Sequence, residues 1–236
     1  MKIIGIIPAR MESSRLPGKP LIDIGGKSMI KRVYESVLNS KLFNKVIVAT
    51  PNKDIYDHVK EFGKVIMTSN NPLNGTERVF EAYKKLDIEY DFIVNIQGDE
   101  PFIKKEQLSD IISICRKPNQ ICTLIKKEKY SKDLERESIM KVVINNKNEA
   151  MYFSRSLIPY QYKKKNYFKH ICIYAYDPIT LKKIISLPPS SLEISESLEQ
   201  LRWLENEFKI KVKITNSDSF SVDTKEDLIL AENYVN

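Results

Sequence analysis

The chain has 236 residues, 42% of them apolar and 29% charged, which suits one large α/β domain with a sizeable core. No apolar run approaches the roughly 20 residues that cross a bilayer and no targeting segment is visible, so a cytoplasmic protein with no membrane partner is expected. The formal net charge of +7 is spread over the whole length rather than gathered into a stripe, which argues against nucleic acid as a partner and favours anionic small molecules.

Ile3, Ile4, Ile6 and Ile7 predict a strand buried on both faces, and Pro8 ends it. Residues 9–20 then form a cationic loop in which Arg10, Arg15 and Lys19 are interspersed with the small or bend-permitting Ala9, Ser13, Ser14, Pro17 and Gly18. Ligands of open α/β sheets bind beyond the carboxyl ends of the strands, and three cations placed there ask for a polyanion. Taken alone, an ordinary basic surface loop would look the same. A Walker loop is excluded, because Gly26-Lys27-Ser28 needs a first glycine at position 21, where Leu21 stands, and no G-x-G-x-x-G follows the strand.

Ile30, Val33 and Val37 recur at helical spacing, Lys45–Thr50 reads as the second strand, and Ile55, Val59 and Phe62 mark a helix ending at Gly63. A short strand, Val65–Met67, follows. Asn74 and Glu77 have the spacing of a capping box, opening a helix whose apolar face holds Val79, Ala82, Tyr83 and Leu86. Residues 91–96 are the next buried strand, Leu108, Ile111, Ile112 and Cys115 predict a helix, and residues 121–125 a further strand. This alternation predicts an α/β fold with a mostly parallel sheet.

Beyond it, Lys141–Ile144 and residues 150–153 read as a strand pair about a polar turn at 145–148, and residues 171–176 as another strand. The Lys-rich run 163–165, with Tyr160, Tyr162 and Tyr167 nearby, reads as a solvated basic loop. Residues 193–205 predict one helix, with Ile194, Leu198 and Leu201 on one face and Glu196, Glu199, Gln200 and Trp203 on the other. A strand at 211–215 and a helix from Thr224 complete the chain. The simplest organisation is a single domain over residues 1–236 with a smaller inserted lobe at residues 140–176.

The turn Gln97-Gly98-Asp99-Glu100-Pro101 follows a buried strand directly, so Asp99 lies at the sheet's ligand edge, where a carboxylate can hold a divalent metal opposite the cationic loop. Asp223, just before the last helix, is the natural second carboxylate. By itself it reads better as a helix-capping turn with Thr224 and Asp227. Cys115, Cys122 and Cys172 are odd in number without a C-x-x-C pair, and His58 and His170 lie far apart, so neither a disulfide nor a zinc site is expected.

Seven segments, IIPARMESSRLPGKP, GTER, NIQGDEP, YFSRSLIPY, KHICIYAY, LEQLR and VDTKEDL, occur in the order found in the 3-deoxy-manno-octulosonate (Kdo) cytidylyltransferases, and the chain resembles that family from Ile3 to its last helix. The resemblance implies a Rossmann-like nucleotidyltransferase fold of the GT-A type, a mixed, mostly parallel sheet flanked by helices, with a smaller lobe for dimerisation and sugar binding. It implies transfer of CMP from CTP to the anomeric hydroxyl of Kdo, with release of pyrophosphate, for lipopolysaccharide synthesis by a homodimer that uses Mg²⁺. By the same resemblance Arg10 and Lys19 bind the triphosphate, Arg15 lies near the leaving pyrophosphate, and Asp99 and Asp223 hold the metal; these residues other than Arg15 make up the catalytic set. Pro8, Ala9, Arg10, Gly75, Arg78 and Gln97 hold the cytidine, and Arg155, His170, Tyr174, Glu199 and Gln200 hold the acidic sugar. Without the resemblance, His170 reads as a buried histidine bonded to a backbone carbonyl, and Glu199 with Gln200 as a solvated helix face.

Three features depart from the family pattern: Asn74 stands for a serine, Cys172 for a glycine beside His170, and the loop from Tyr160 to Lys169 is short. A cytidylyltransferase for a related acidic sugar, 8-amino-Kdo or another 3-deoxy sugar acid, is the alternative. A non-catalytic nucleotide-binding protein would have no need of two metal carboxylates. Tyr152, Phe153, Leu157 and Ile158 are the candidate dimer contact.

Overall fold

The isoleucine run at the start of the chain forms β1 (Ile3–Pro8), buried along its whole length up to Pro8. The computed structural model describes residues 1–13, 15–115, 120–160, 162 and 166–235; Ser14 and the basic run 163–165 lie outside them. After β1 come β2 (Asp23–Ile24), β3 (Lys27–Ser28), α1 (Met29–Asn39), β4 (Lys45–Thr50), α2 (Lys53–Lys60), β5 (Val65–Met67), α3 (Gly75–Lys84), β6 (Phe92–Ile96) and α4 (Lys105–Ile114). The chain continues through β7 (Ile121–Lys129), β8 (Lys141–Ile144), β9 (Ala150–Ser154), β10 (Asn166–Tyr176), α5 (Pro178–Ile185), α6 (Ser191–Glu196), α7 (Glu199–Glu205), β11 (Ile210–Ile214) and α8 (Lys225–Val235). This is the expected α/β class. The chain divides into two compact units, residues 1–108 with 218–236 and residues 109–217, and the segment expected as an inserted lobe belongs to the second.

In the first unit β1 is central. It pairs in parallel with β4 on one side and β6 on the other, with Ile4 opposite Lys45 and Ile93, and β5 extends the sheet beyond β4. Strands buried on both faces need an apolar residue at nearly every position, which is why these were visible as runs. The β2–β3 hairpin was not anticipated, although Gly25-Gly26, with φ of 57° and 81°, is its turn. Ser28 caps α1 by accepting from the Lys31 amide, and Asn74 caps α3 by accepting from that of Glu77. The expected capping box at Asn74 is not reciprocal, because the Glu77 carboxylate reaches back one residue further, to the Leu73 amide at 2.9 Å.

In the second unit β7 pairs antiparallel with β10 and in parallel with β11, while β8 and β9 form an antiparallel pair. Both β7 and β10 run beyond the apolar segments that predicted them. Past Ile125, β7 alternates between half-buried and exposed residues, so the ladder continues where the apolar signal stops. The single helix expected at 193–205 is two, α6 and α7. Ser197 between them is left-handed, with φ 53° and ψ 49°, and breaks the 3.6-residue period. The predicted faces change accordingly: Ile194 is 71% exposed, whereas Gln200 and Trp203 are buried with Leu198 and Leu201. Phe153 is also fully buried, so it packs in the core and offers nothing to a dimer contact.

Candidate active site

At the carboxyl ends of β1 and β6 a cleft of about 750 Å³ is lined by Pro8, Ala9, Arg10, Arg15, Lys19, Gly75, Arg78, Gln97, Asp99 and Asp223. Every residue expected to bind nucleotide or metal thus faces one space, of a size that suits a nucleotide. The cationic loop is closed on itself by the Gly18 amide donating to the Met11 carbonyl at 3.2 Å, and it is anchored by Leu16 in a cluster with Ile24, Met29, Val222 and Ala231.

Lys19 joins the two carboxylates. Its Nζ lies 2.7 Å from Asp99 Oδ2 and 2.7 Å from Asp223 Oδ1. Burial pulls this ammonium's pKa down, but the attraction of Asp99 and Asp223 outweighs burial and holds it above the ordinary lysine value. The Val222 amide donates to the Asp99 carbonyl at 2.9 Å, fixing the two segments side by side, and Arg15 reaches Asp223 Oδ1 at 3.3 Å. The helix cap read into Asp223 is made by its neighbours: Asp227 accepts from the Asp223 and Thr224 amides, and Thr224 Oγ1 accepts from the Asp227 amide. The Asp223 carboxylate is therefore turned to the cleft. Among the described residues no group of three or more His, Cys, Asp or Glu side chains gathers as a metal cage.

Arg78 enters from α3, buried, with Nη1 donating to Thr68 Oγ1 at 2.7 Å and to the Ser69 carbonyl at 3.1 Å. Burial, with Arg10 nearby, lowers its pKa from the ordinary arginine value. Glu81 fixes Ser69 in turn, accepting from its amide at 2.7 Å and its hydroxyl at 2.8 Å. Gly98 packs against the end of β1 so closely that a Cβ there would lie 2.8 Å from the Pro8 carbonyl oxygen. Gln97 Nε2 points to Asn95 Oδ1 at 3.4 Å.

The residues expected to bind the sugar lie in the second unit. His170 and Tyr174, on β10, are ring neighbours with centroids 5.3 Å apart, and both are buried. Thr123 Oγ1 donates to the Ile173 carbonyl at 2.7 Å, so the 2.9 Å contact with His170 Nε2 makes that nitrogen the donor. The partner of His170 is thus a hydroxyl rather than the backbone carbonyl expected. Burial alone lowers the His170 pKa to about 3. Tyr174 Oη and Gln200 Nε2 are buried with no hydrogen-bond partner among the described residues, and burial raises the Tyr174 pKa well above the ordinary phenol value, with Cys172, Tyr176 and Glu199 adding to it. Arg155 is tied down: its guanidinium donates to the carbonyls of Glu196 at 2.8 Å, Glu137 at 2.9 Å and Ser197 at 3.1 Å.

Sequence reasoning did not single out Thr68, Glu81 or Glu12, nor the buried Lys141, whose ammonium donates to the carbonyls of Ile139 at 2.6 Å, Arg136 at 3.2 Å and Arg155. Glu12 stands within the cationic loop and lines the cleft, a signal that was present in the sequence. For the others no local pattern exists.

A cytidylyltransferase family model matches residues 4–213. The chain is 51% identical to the 3-deoxy-manno-octulosonate cytidylyltransferase of Parabacteroides distasonis, over 97% of this chain and 96% of that one. It is 48% identical to the protein of the same name from Phocaeicola vulgatus, over 100% and 98%. Among solved structures, a CMP:2-keto-3-deoxy-manno-octonic acid synthetase complexed with CTP aligns with a TM-score of 0.92 and 38% identity, covering 100% of this chain and 98% of that one. The fold is thus that of a nucleotidyltransferase, as the seven segments implied. Identity of this extent, running through the cleft and both units, makes the chain a member of the 3-deoxy-manno-octulosonate cytidylyltransferase family.

Proposed function

We propose that this chain transfers CMP from CTP to the anomeric hydroxyl of Kdo, with the cleft of the first unit as its CTP site. The observation that supports this most is the meeting of Arg10, Arg15, Lys19 and Arg78 with Asp99 and Asp223 in that cleft. In the reaction the anomeric hydroxyl loses its proton to solvent as its oxygen attacks the α-phosphorus, the bond to the bridging oxygen breaks, and pyrophosphate leaves with its electron pair. Such transfers depend on alignment and on neutralising charge that is already present, so no nucleophilic side chain is needed. Arg10 and Arg15 serve the triphosphate, and Lys19 adds a third cation while holding the carboxylates together.

Two carboxylates fit Mg²⁺, which takes one or two protein carboxylates and completes its shell with phosphate oxygens and water. When bound at Asp99 and Asp223 it would draw the phosphate and the sugar hydroxyl together and lower the hydroxyl's pKa. Gln97, with its amide nitrogen toward Asn95, offers its oxygen to the exocyclic amine of cytosine.

For the sugar, the unpartnered Tyr174 Oη and Gln200 Nε2 support a polyhydroxylated ligand, since buried polar groups are otherwise paired. With a pKa of about 3, His170 is neutral at physiological pH and orients rather than shuttles a proton. Arg155 and Glu199 complete the proposed set for an acidic sugar. We place the enzyme in the cytoplasm, in lipopolysaccharide synthesis, and as a homodimer. Of the apolar side chains expected at the contact, Tyr152, Leu157 and Ile158 are half-buried, and Met151 and Tyr160 of the same segment are exposed and open to a second copy. A monomer in light scattering at micromolar concentration would overturn the dimer.

The deciding assay is pyrophosphate release from CTP and Mg²⁺ with Kdo, 8-amino-Kdo or N-acetylneuraminate as acceptor. Release with Kdo supports the proposal. Release only with another acid keeps the chemistry and shifts attention to Cys172, whose Sγ lies 3.7 Å from His170 Nδ1.

A further inference from the structure

Asn52 occupies the N-cap position of α2 with the extended backbone such a residue adopts, φ −96° and ψ 127°, yet its side chain makes no bond to the helix. An asparagine there ordinarily accepts from the helix's own free amides. Here the side chain turns the other way. Its Oδ1 accepts from the Met11 amide at 3.0 Å, and its Nδ2 donates to Glu12 Oε1 at 3.2 Å. Both partners belong to the cationic loop, immediately after Arg10. The last backbone bond tying this loop to β4 is the Ala9 amide to the Ala49 carbonyl at 2.9 Å, and Asn52 extends that attachment by two residues.

Glu12 makes the bond consequential. It lines the cleft as a carboxylate among cations, and its pKa is lowered by its own backbone amide, by Asn52, and then by Arg10 and Arg78. Left loose, that carboxylate would pair with the arginines and compete with a triphosphate for them. We propose that Asn52 is a positioning residue for CTP: its amide fixes Met11 and ties the Glu12 carboxylate to itself in place of an ion pair with Arg10 or Arg78, so that Arg10 stays available to the phosphates and Arg78 to the cytidine. The inference rests on the CTP site proposed above. Holding a loop in its bound form before the ligand arrives raises affinity by lowering the cost of ordering it.

Calorimetric titration of the full chain with CTP, without sugar, tests this. Asn52→Ser keeps a good capping residue but cannot span to Glu12. Asn52→Asp keeps the shape and sets a like charge against Glu12. Each raises the Kd for CTP about tenfold. Combining Asn52→Asp with Glu12→Gln restores a donor and an acceptor in reversed order, and returns the Kd to within about threefold of the native value. Thermal midpoints stay within a few degrees, because the native Asn52 side chain makes no cap for α2 to lose. An unchanged Kd in Asn52→Ser, or a double variant no better than Asn52→Asp, overturns the inference while leaving the CTP site intact. Failure of the native chain to bind CTP overturns the proposed function, and the inference with it.

Discussion

Lys19, with its side chain 13% exposed, has carboxylate oxygens 2.7 Å away on two sides, and those carboxylates keep only about a quarter of their own exposure, 27% and 24%. The three groups depend on one another. Replacing Asp99 by the isosteric Asn removes a charge but little volume, so Asp99→Asn is expected to lower the rate of pyrophosphate release by about a hundredfold or more with the melting temperature nearly unchanged. Activity retained in saturating magnesium would exclude Asp99 as a metal ligand. His170 supplies a prediction of different kind. Its folded pKa of about 3 lies below the unfolded value of about 6.5, so the stability it contributes is complete above pH 6.5 and is lost as pH falls toward 3. By pH 5 the loss relative to pH 8 is about 2 kcal/mol. Urea unfolding at the two pH values should show that difference in the native chain and a smaller one in His170→Asn.

At the scale of elements the break between α6 and α7 decides how the second unit is assembled. Arg202, 8% exposed, grips the Glu193 carboxylate with Nε at 2.7 Å and Nη2 at 2.5 Å, and donates to the Leu187 carbonyl at 3.0 Å. The arginine of the LEQLR segment therefore fastens one short helix to the other. Arg202→Met leaves the Glu193 carboxylate, 15% exposed, without its cation, and is expected to cost about 3 kcal/mol in urea unfolding. Adding Glu193→Met should recover most of the loss, whereas a helix that needed Arg202 only for packing would show no recovery. This junction also marks where the sequence could be read and where it could not. β1, β4 and β6 were legible because strands buried on both faces need continuous apolar runs, and Arg10, Lys19 and Asp99 were legible because they follow such runs directly. Ser197 was not, since Ile194, Leu198 and Leu201 fit one helical face and nothing local marks a left-handed serine. Asp223 could not be separated from a helix cap until Thr224 and Asp227 were seen to make that cap themselves. The contacts of Asn52 with Met11 and of Arg78 with Thr68 join distant segments through single polar bonds, which leave no periodic trace.

For the molecule as a whole, the charge of the cleft and the charge of the chain differ in a way that separates capture of CTP from its retention. Arg10, Arg15, Lys19 and Arg78 face Glu12, Asp99 and Asp223, so the cleft itself is close to balanced. The chain has 38 Lys and Arg against 31 Asp and Glu, and this excess lies mostly outside the cleft. A near-neutral site does little at long range to attract a tetra-anion, so the approach of CTP is drawn by the scattered lysines, whereas its residence is set by short contacts inside the cleft. Charges acting across more than about 10 Å are screened in 0.1 M salt, while buried contacts are screened far less. Raising KCl from about 0.05 M to about 0.5 M should therefore slow CTP association several-fold and change its dissociation by less than about twofold in stopped-flow measurements. If the salt dependence appears in dissociation instead, the attraction resides in the cleft, and the positive charge over the rest of the surface has no part in bringing the nucleotide in.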